Sequence, residues 1–305
     1  MGWVFAHLSY QIFFTVKFRR IPFTLAHPIA AVPIWLLSKR KLDLLALAIG
    51  TMIPDLQYFI ALKPVRGMGH SLPGVFIEGV PSSLVLLLVF HCVLKYPLLA
   101  LAPSHVADRL PPIRRYSLFP LSQFLIIIGS IASGGISHIL WDEFTHSTGW
   151  FVVRVPLLQF QVVSLPLYKI LQYGSGIFGL CGLSIWFLVW LLKTQPRQSK
   201  QALPVRWKLL ATSYILLTSC ILALIAVKFH IAEDGSFSGI VVRAVIGSIS
   251  GLFFGCLLYS AVFWKLKGFQ QLNENLSDRE NYRCQVMRSL FLHPRSSASI
   301  RLHLR

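Results

Sequence analysis

Charged side chains are scarce in this sequence: Asp, Glu, Lys and Arg make up 13% of 305 residues, where a soluble domain carries about a quarter. Acids are scarcer still, 11 against 29 Lys and Arg. Too little polar surface is left to clothe a water-soluble globule, and 55% hydrophobic residues with a mean hydropathy of +0.64 place the chain in a bilayer. Paired cysteines are absent as well. Cys92, Cys181, Cys220 and Cys256 stand singly in apolar runs and Cys284 lies near the C-terminus, which argues against a disulfide framework and a thiolate zinc site. There is no P-loop, no G-x-S-x-G elbow and no H-E-x-x-H, so a nucleotide-driven pump, a serine hydrolase and a zincin all lack their signatures.

The net charge of +18 is spread among loops between apolar spans, where cations orient helices and touch anionic lipid. Membrane lipids are therefore the expected partners, and nucleic acid is not. Six apolar segments have spanning length, roughly 42 to 62, 80 to 101, 118 to 141, 174 to 192, 209 to 228 and 240 to 264. A seventh, Ile21 to Leu37, is barely long enough and carries Pro22, Pro28 and Pro33. The expected fold is all-α, a multi-pass transmembrane helical bundle of about six or seven spanning helices. It has an N-terminal extension over 1–20, a membrane domain over 21–265 and a basic cytoplasmic tail over 266–305.

Loop charges set the expected orientation. The 193–208 loop holds Lys193, Arg197, Lys200, Arg206 and Lys208 without an acid, whereas 229–239 holds Glu233 and Asp234 without a Lys or Arg. The first is then cytoplasmic and the second external. Alternation puts Lys39, Arg40, Lys41, Arg109, Arg114, Arg115 and the tail inside, and the loops 63–79 and 142–173 outside. Lys17, Arg19 and Arg20 fit badly if Ile21 to Leu37 spans, so the first twenty residues read as an overcalled start.

Within that frame the polar residues gather on one side. His138-Ile-Leu-Trp-Asp142-Glu-Phe-Thr-His146 places three ligand-type side chains at four-residue steps, about 6 Å apart along one helix face. Asp55 in Gly50-Thr-Met-Ile-Pro54-Asp55 lies about two thirds of the way out along its span, His70 follows in the next external loop, and His27 reaches a similar depth if its segment spans. Ionisable groups at membrane depth are expensive and tend to mark a site, though any one of His27, Asp55 or His70 could simply cap or pair. The imidazole and carboxylate set of His27, Asp55, His70, His138, Asp142 and His146 suits a divalent metal, zinc first with manganese or iron as alternatives. Six ligands exceed the need of one tetrahedral ion, so two metals could clamp the attacking and leaving oxygens of a phosphoester. Asp55 and Asp142 are the expected catalytic carboxylates. Glu143 and Glu78 are acid or base candidates at one remove, because Glu143 is rotated about 100° from Asp142.

Small residues carry a different message. Gly174-Ser-Gly176-Ile-Phe-Gly179 mimics a dinucleotide fingerprint but opens an apolar span, and so predicts close helix packing. Gly247, Gly251 and Gly255 predict the same. Gly129, Ser133 and Ser137, with Ser130 and Gly134, thin the helix that leads into His138 and would let a neighbour bring Asp55 or His27 close.

The strings Pro22-Phe-Thr-Leu-Ala-His27-Pro, Met52-Ile-Pro-Asp55-Leu-Gln-Tyr-Phe, Gly69-His70-Ser-Leu-Pro-Gly, Ser137-His138-Ile-Leu-Trp-Asp142-Glu-Phe-Thr-His146 and Tyr168-Lys-Ile-Leu-Gln-Tyr-Gly-Ser resemble an uncharacterised bacterial membrane family, domain-of-unknown-function family 4184. The resemblance runs over about 21 to 265. The same series is similar to membrane-bound metal-dependent hydrolases and, more distantly, to zinc-dependent phospholipase C. It implies a metal-dependent hydrolase in a bacterial cytoplasmic membrane, acting on a phosphoester or lipid-like substrate at the outer face. A proton or metal-ion transporter using the same His and Asp residues, or a non-catalytic membrane protein, are the alternatives, and no internal repeat supports a transporter.

Overall fold

Proline and glycine decide where the apolar runs of this chain bend. The computed structural model describes residues 24–65, 67–110, 118, 120–196, 203–233 and 235–265. The expected extension 1–20 and tail 266–305 lie outside them, as do Arg114, Arg115, Arg197, Lys200 and Asp234 from the loop-charge argument. Helix α1, Thr24–Leu37, begins as a 3-10 stretch over Thr24–Ala30 around Pro28 and turns α-helical over Ala31–Leu37. At 1.5 Å per residue even an all-α form of it would reach only ~21 Å, short of the ~30 Å hydrocarbon core. The seventh expected span is thus a short apolar helix.

The span expected at 42 to 62 is broken. Helix α2, Leu44–Gly50, and α3, Ile53–Ala61, meet at a bend of 41°, with Pro54 in the opening 3-10 turn of α3. Pro54 has no N–H to give, so the helical ladder is interrupted one turn before Asp55 must be placed. Asp43 caps α2 by accepting from the Ala46 N–H at 2.8 Å. Helix α4, Leu72–Leu101, starts well before the expected residue 80, because the Ser71 hydroxyl accepts from Gly74 N–H at 3.1 Å and Pro73 sits in the first turn. Two π-helical turns, Val75–Gly79 and Phe90–Leu94, interrupt it. Four long helices follow: α5, Leu121–Thr145; α6, Leu167–Lys193; α7, Val205–Glu233; and α8, Phe237–Lys265. Between α5 and α6 a two-residue antiparallel pair, Gln161–Val162 with Leu165–Pro166, turns through Val163 at φ 61°. Among the described residues five helices are long and apolar enough to cross a membrane, six when α2 and α3 count as one broken span. The all-α multi-pass bundle is therefore observed, at the lower end of the expected count.

Small residues set the contacts that matter for the site. A Cβ on Gly50 would lie 2.3 Å from the Ile131 carbonyl oxygen, and one on Gly134 would lie 2.3 Å from that of Leu47, so α2 and α5 cross backbone to backbone. Ser130 reinforces the crossing by accepting from the Asp43 N–H at 2.9 Å, while a Cβ on Gly129 would meet nothing within 4 Å. Ala46, Val80, Leu87, Ile127 and Ile131 form the buried core where α2, α4 and α5 converge. Gly179 brings α6 onto α1, with its would-be Cβ 2.7 Å from the Ala26 carbonyl oxygen. Gly247, Gly251 and Gly255 do the same for α8 on α7, against Leu222, Ser219 and Thr218. Gly179 and the Gly247 series thus serve helix packing, whereas a Cβ on Gly174 would meet nothing within 4 Å. The C-terminal carbonyls of α3 are also satisfied: Ser250 donates to Phe59 O at 2.7 Å, and Arg243 to Leu62 O at 3.3 Å. Contacts divide the chain at Ser260, and everything that bears on the site lies before that division.

Candidate functional site

Each residue of the site sits where a helix starts, stops or breaks. Asp55 closes the 3-10 turn that opens α3, His70 ends the single 3-10 turn Met68–His70 just before α4, His27 lies in the 3-10 part of α1, and His138 and Asp142 project from the last turns of α5. The close α2–α5 crossing carries Asp55 to His138. Asp55 and His138 are buried, and His70 and Asp142 nearly so, with side-chain exposures of 10% and 16%.

Four donor atoms form a ring of alternating nitrogen and oxygen. His70 Nε2 lies 3.2 Å from Asp55 Oδ1 and 3.7 Å from Asp142 Oδ2; His138 Nε2 lies 3.8 Å and 3.5 Å from the same two oxygens. Ligands held at ~2.1 Å around one tetrahedral ion stand ~3.4 Å from one another, so the four sides bracket the spacing of a metal's donor set. Three of the spacings are too long for ordinary hydrogen bonds.

The far side of the ring members is tied to fixed partners. His138 Nδ1 is 2.8 Å from the Thr51 carbonyl oxygen, which can only accept; Nδ1 therefore carries a proton, and Nε2 is the ring nitrogen turned inward. That Nε2 is buried without a hydrogen-bond partner, as is His70 Nδ1. The Thr24 hydroxyl donates to Asp55 Oδ2 at 2.5 Å. Asp142 Oδ1 receives His146 Nδ1 at 3.3 Å. Among the described residues neither carboxylate pairs with a Lys or Arg. Two buried or nearly buried carboxylates thus face two imidazoles, a mixed oxygen and nitrogen donor set of the kind that suits a divalent ion.

His27 stacks on the His138 ring at 4.1 Å and groups with Asp55 and His138 as a second possible set of ligand atoms, alongside His70, His138 and Asp142. Both sets use His138, with Asp55 in the first and His70 and Asp142 in the second. His146 differs from the expected helical triplet. Helix α5 ends at Thr145, and His146 is its extended cap residue, with φ −113° and ψ 140°. Its ring nitrogens are turned to Asp142 on one side and to the Gln172 amide nitrogen, at 3.2 Å from Nε2, on the other. Lys169 Nζ, 2.7 Å from Gln172 Oε1, orients that amide so its NH2 faces His146. Of the acid or base candidates, Glu143 accepts from the Trp150 N–H and Glu78 from Gln57 at 2.5 Å. Neither side chain faces the ring in these bonds.

Thr24, Thr51, Gln172 and Lys169 escaped sequence reasoning. Hydroxyl, carbonyl and amide partners carry no charge pattern of their own, although Thr24, Gln172 and Lys169 stand inside the strings that carried the resemblance. A cavity of about 290 Å3 adjoins the ring, with His27, Asp55, Asp142, His146 and Gln172 at its polar end and Ile29, Ala30, Gly176 and Phe178 among its apolar walls.

Fold and site together define a multi-pass helical membrane protein with a buried His/Asp cluster near one end of its bundle. The chain belongs to the family described as Domain of unknown function (DUF4184), whose signature covers residues 21–261. No curated protein and no solved structure matches it.

Proposed function

We propose that this protein is a membrane-bound metal-dependent hydrolase that cleaves a phosphoester or similar ester of an amphiphile at the outer membrane face. The observation that carries the reading is the four-donor ring of His70, His138, Asp55 and Asp142, three of its members locked from behind. These four residues would hold one divalent ion, zinc before manganese or iron, with His27 beside it and His146 acting on it through Asp142. The ion would supply Lewis acidity to polarise the oxygen of the ester. Around it the chain's own groups set the geometry: Thr24 and His146 hold the free oxygens of Asp55 and Asp142, and Thr51 fixes the His138 ring. The cavity seats the substrate beside these carboxylates.

Metal-loaded protein in nanodiscs should turn over members of a phosphoester and lipid panel, and Asp142→Ala should lower the rate about 100-fold or more. Metal binding, and activity with it, should weaken as the pH is lowered, because protons compete with the ion for the imidazole nitrogens. A second reading has one observation in its favour, the 41° break between α2 and α3, since broken spans also build ion sites in transporters. No turnover across the panel, with Asp142-dependent movement of protons or divalent ions into liposomes, would replace the hydrolase with that transporter.

The site's sidedness follows from loop charge: the 193–208 loop and the C-terminus cytoplasmic, the 62–71 loop outside, in a bacterial cytoplasmic membrane. In a cysteine-free background, Lys63→Cys should react with an impermeant thiol reagent on intact cells and Thr194→Cys should not. The reverse pattern inverts the orientation.

A further inference from the structure

The cavity beside the ring has a direction, which can be followed along three of the helices that wall it. Along α1 the wall passes from His27 to Ile29 and Ala30; along α5 from Asp142 back to Ser137; along α6 from Gln172 to Gly176 and Phe178. The ionisable or amide side chains His27, Asp142 and Gln172 lie nearer the helix ends, and Ile29, Ala30, Gly176 and Phe178 nearer the middle, with Ser175 between. On α6 the step from Gln172 to Phe178 is six residues, ~9 Å of depth. Ser137 turns its hydroxyl to the Gly134 carbonyl at 2.7 Å and so adds little polarity to the deep end.

Part of the cavity's wall lies on the bundle's outer surface, so the cavity can be entered from the side. Phe178 is 73% exposed and Trp141 40%, and on a helix buried in a bilayer those faces meet lipid. Trp141 Nε1 donates to Ser175 Oγ at 3.1 Å, tying α5 to α6 at the rim. Lys169 Nζ, 2.7 Å from Gln172 Oε1, puts a positive charge behind one of the residues of the polar end. At about 290 Å3 the volume is at the lower limit of small-molecule pockets, room for one chain and not for two.

From this geometry we infer that the cavity admits a single hydrocarbon chain of an anionic membrane amphiphile from the surrounding leaflet. The polar group lies at the His/Asp ring, and the chain runs toward the bilayer middle. This rests on the hydrolase reading and narrows its substrate class: the molecule binds in the orientation it already has in its leaflet, and water-soluble esters lack the chain that fills the deep end.

The test uses the full-length protein in nanodiscs with a long-chain alkyl phosphonate that bears a mid-chain diazirine and cannot be hydrolysed. Photolabelling should fall on Ile29, Ala30 and the Gly176–Phe178 turn. Ala30→Phe, which fills the deep end from α1, and Ser137→Leu, which fills it from α5, should each cut labelling about tenfold or more with metal content unchanged. Either variant alone suffices if the other fails to fold. Labelling spread evenly over lipid-facing positions such as Leu216 and Leu224, or unchanged in a folded variant, overturns the proposal. So does turnover of a short soluble phosphoester as fast as its long-chain counterpart, which would leave the hydrolase reading standing. Mapped labelling without turnover of any ester would keep the chain site and remove the hydrolase.

Discussion

Two helix crossings in this molecule are built by the same device and end differently. At the α2–α5 crossing, Gly50 and Gly134 let two backbones touch; at the α7–α8 crossing, Gly247, Gly251 and Gly255 do so. Beyond the second, the polar groups serve backbone: Ser219 donates to Ser248 O at 2.9 Å, and His230 faces Ser236 O at 3.2 Å. Beyond the first, α2 breaks and α5 ends, and two carboxylates and two imidazoles point at one another with no backbone group between them. Close packing is thus a general means of joining helices in a bilayer. The site comes from the break at Pro54 and the end at Thr145, which turn side chains inward.

Substituting the two crossings in parallel separates these roles. Gly134→Val has the largest expected effect, because a Cβ 2.3 Å from Leu47 O forces α2 and α5 apart. It should cost ~1–3 kcal/mol or more and abolish metal binding with it. Gly251→Val, whose Cβ would be 2.5 Å from Ser219 Cα, should cost a similar amount in a thermal melt while the surviving folded protein keeps its metal. Loss of metal in both would mean that the bundle, and not the crossing at the site, sets the ring. Gln172→Leu comes next: it removes the donor that holds His146 toward Asp142, and metal affinity should drop ~10-fold by competition with a chelating dye. An unchanged affinity would detach His146 from the ring. Gly129→Ala, with open space around it, should change neither melt nor metal content.

The same contrast explains what the sequence made legible. Spans of α4 to α8 were readable because length and hydropathy alone determine them, whereas 42 to 62 read as one span and proved to be broken at Pro54. The shared depth of Asp55, His70, His138 and Asp142 followed from loop charge and helical rise, and the structure brings these four together; His27 joins them although its segment, expected to span, is only a short helix. What could not be read was set by tertiary partners or by caps. His146 leaves the helical face because α5 stops one residue earlier, and α4 starts early because Ser71 caps it. Thr24 and Gln172 touch the site from residues far away in sequence, through neutral groups that no spacing rule singles out.

The central claim is that the alternating ring of His70, Asp55, His138 and Asp142 holds a divalent metal. Elemental analysis of the detergent-purified protein, beside His138→Ala, tests it most directly. The account expects about one divalent transition-metal ion per chain in the unaltered protein and at least a ~100-fold lower affinity in the variant, since a vacant position leaves the other donors poorly held. Full metal occupancy in His138→Ala, or an unaltered protein that takes up no metal when one is supplied, would contradict it.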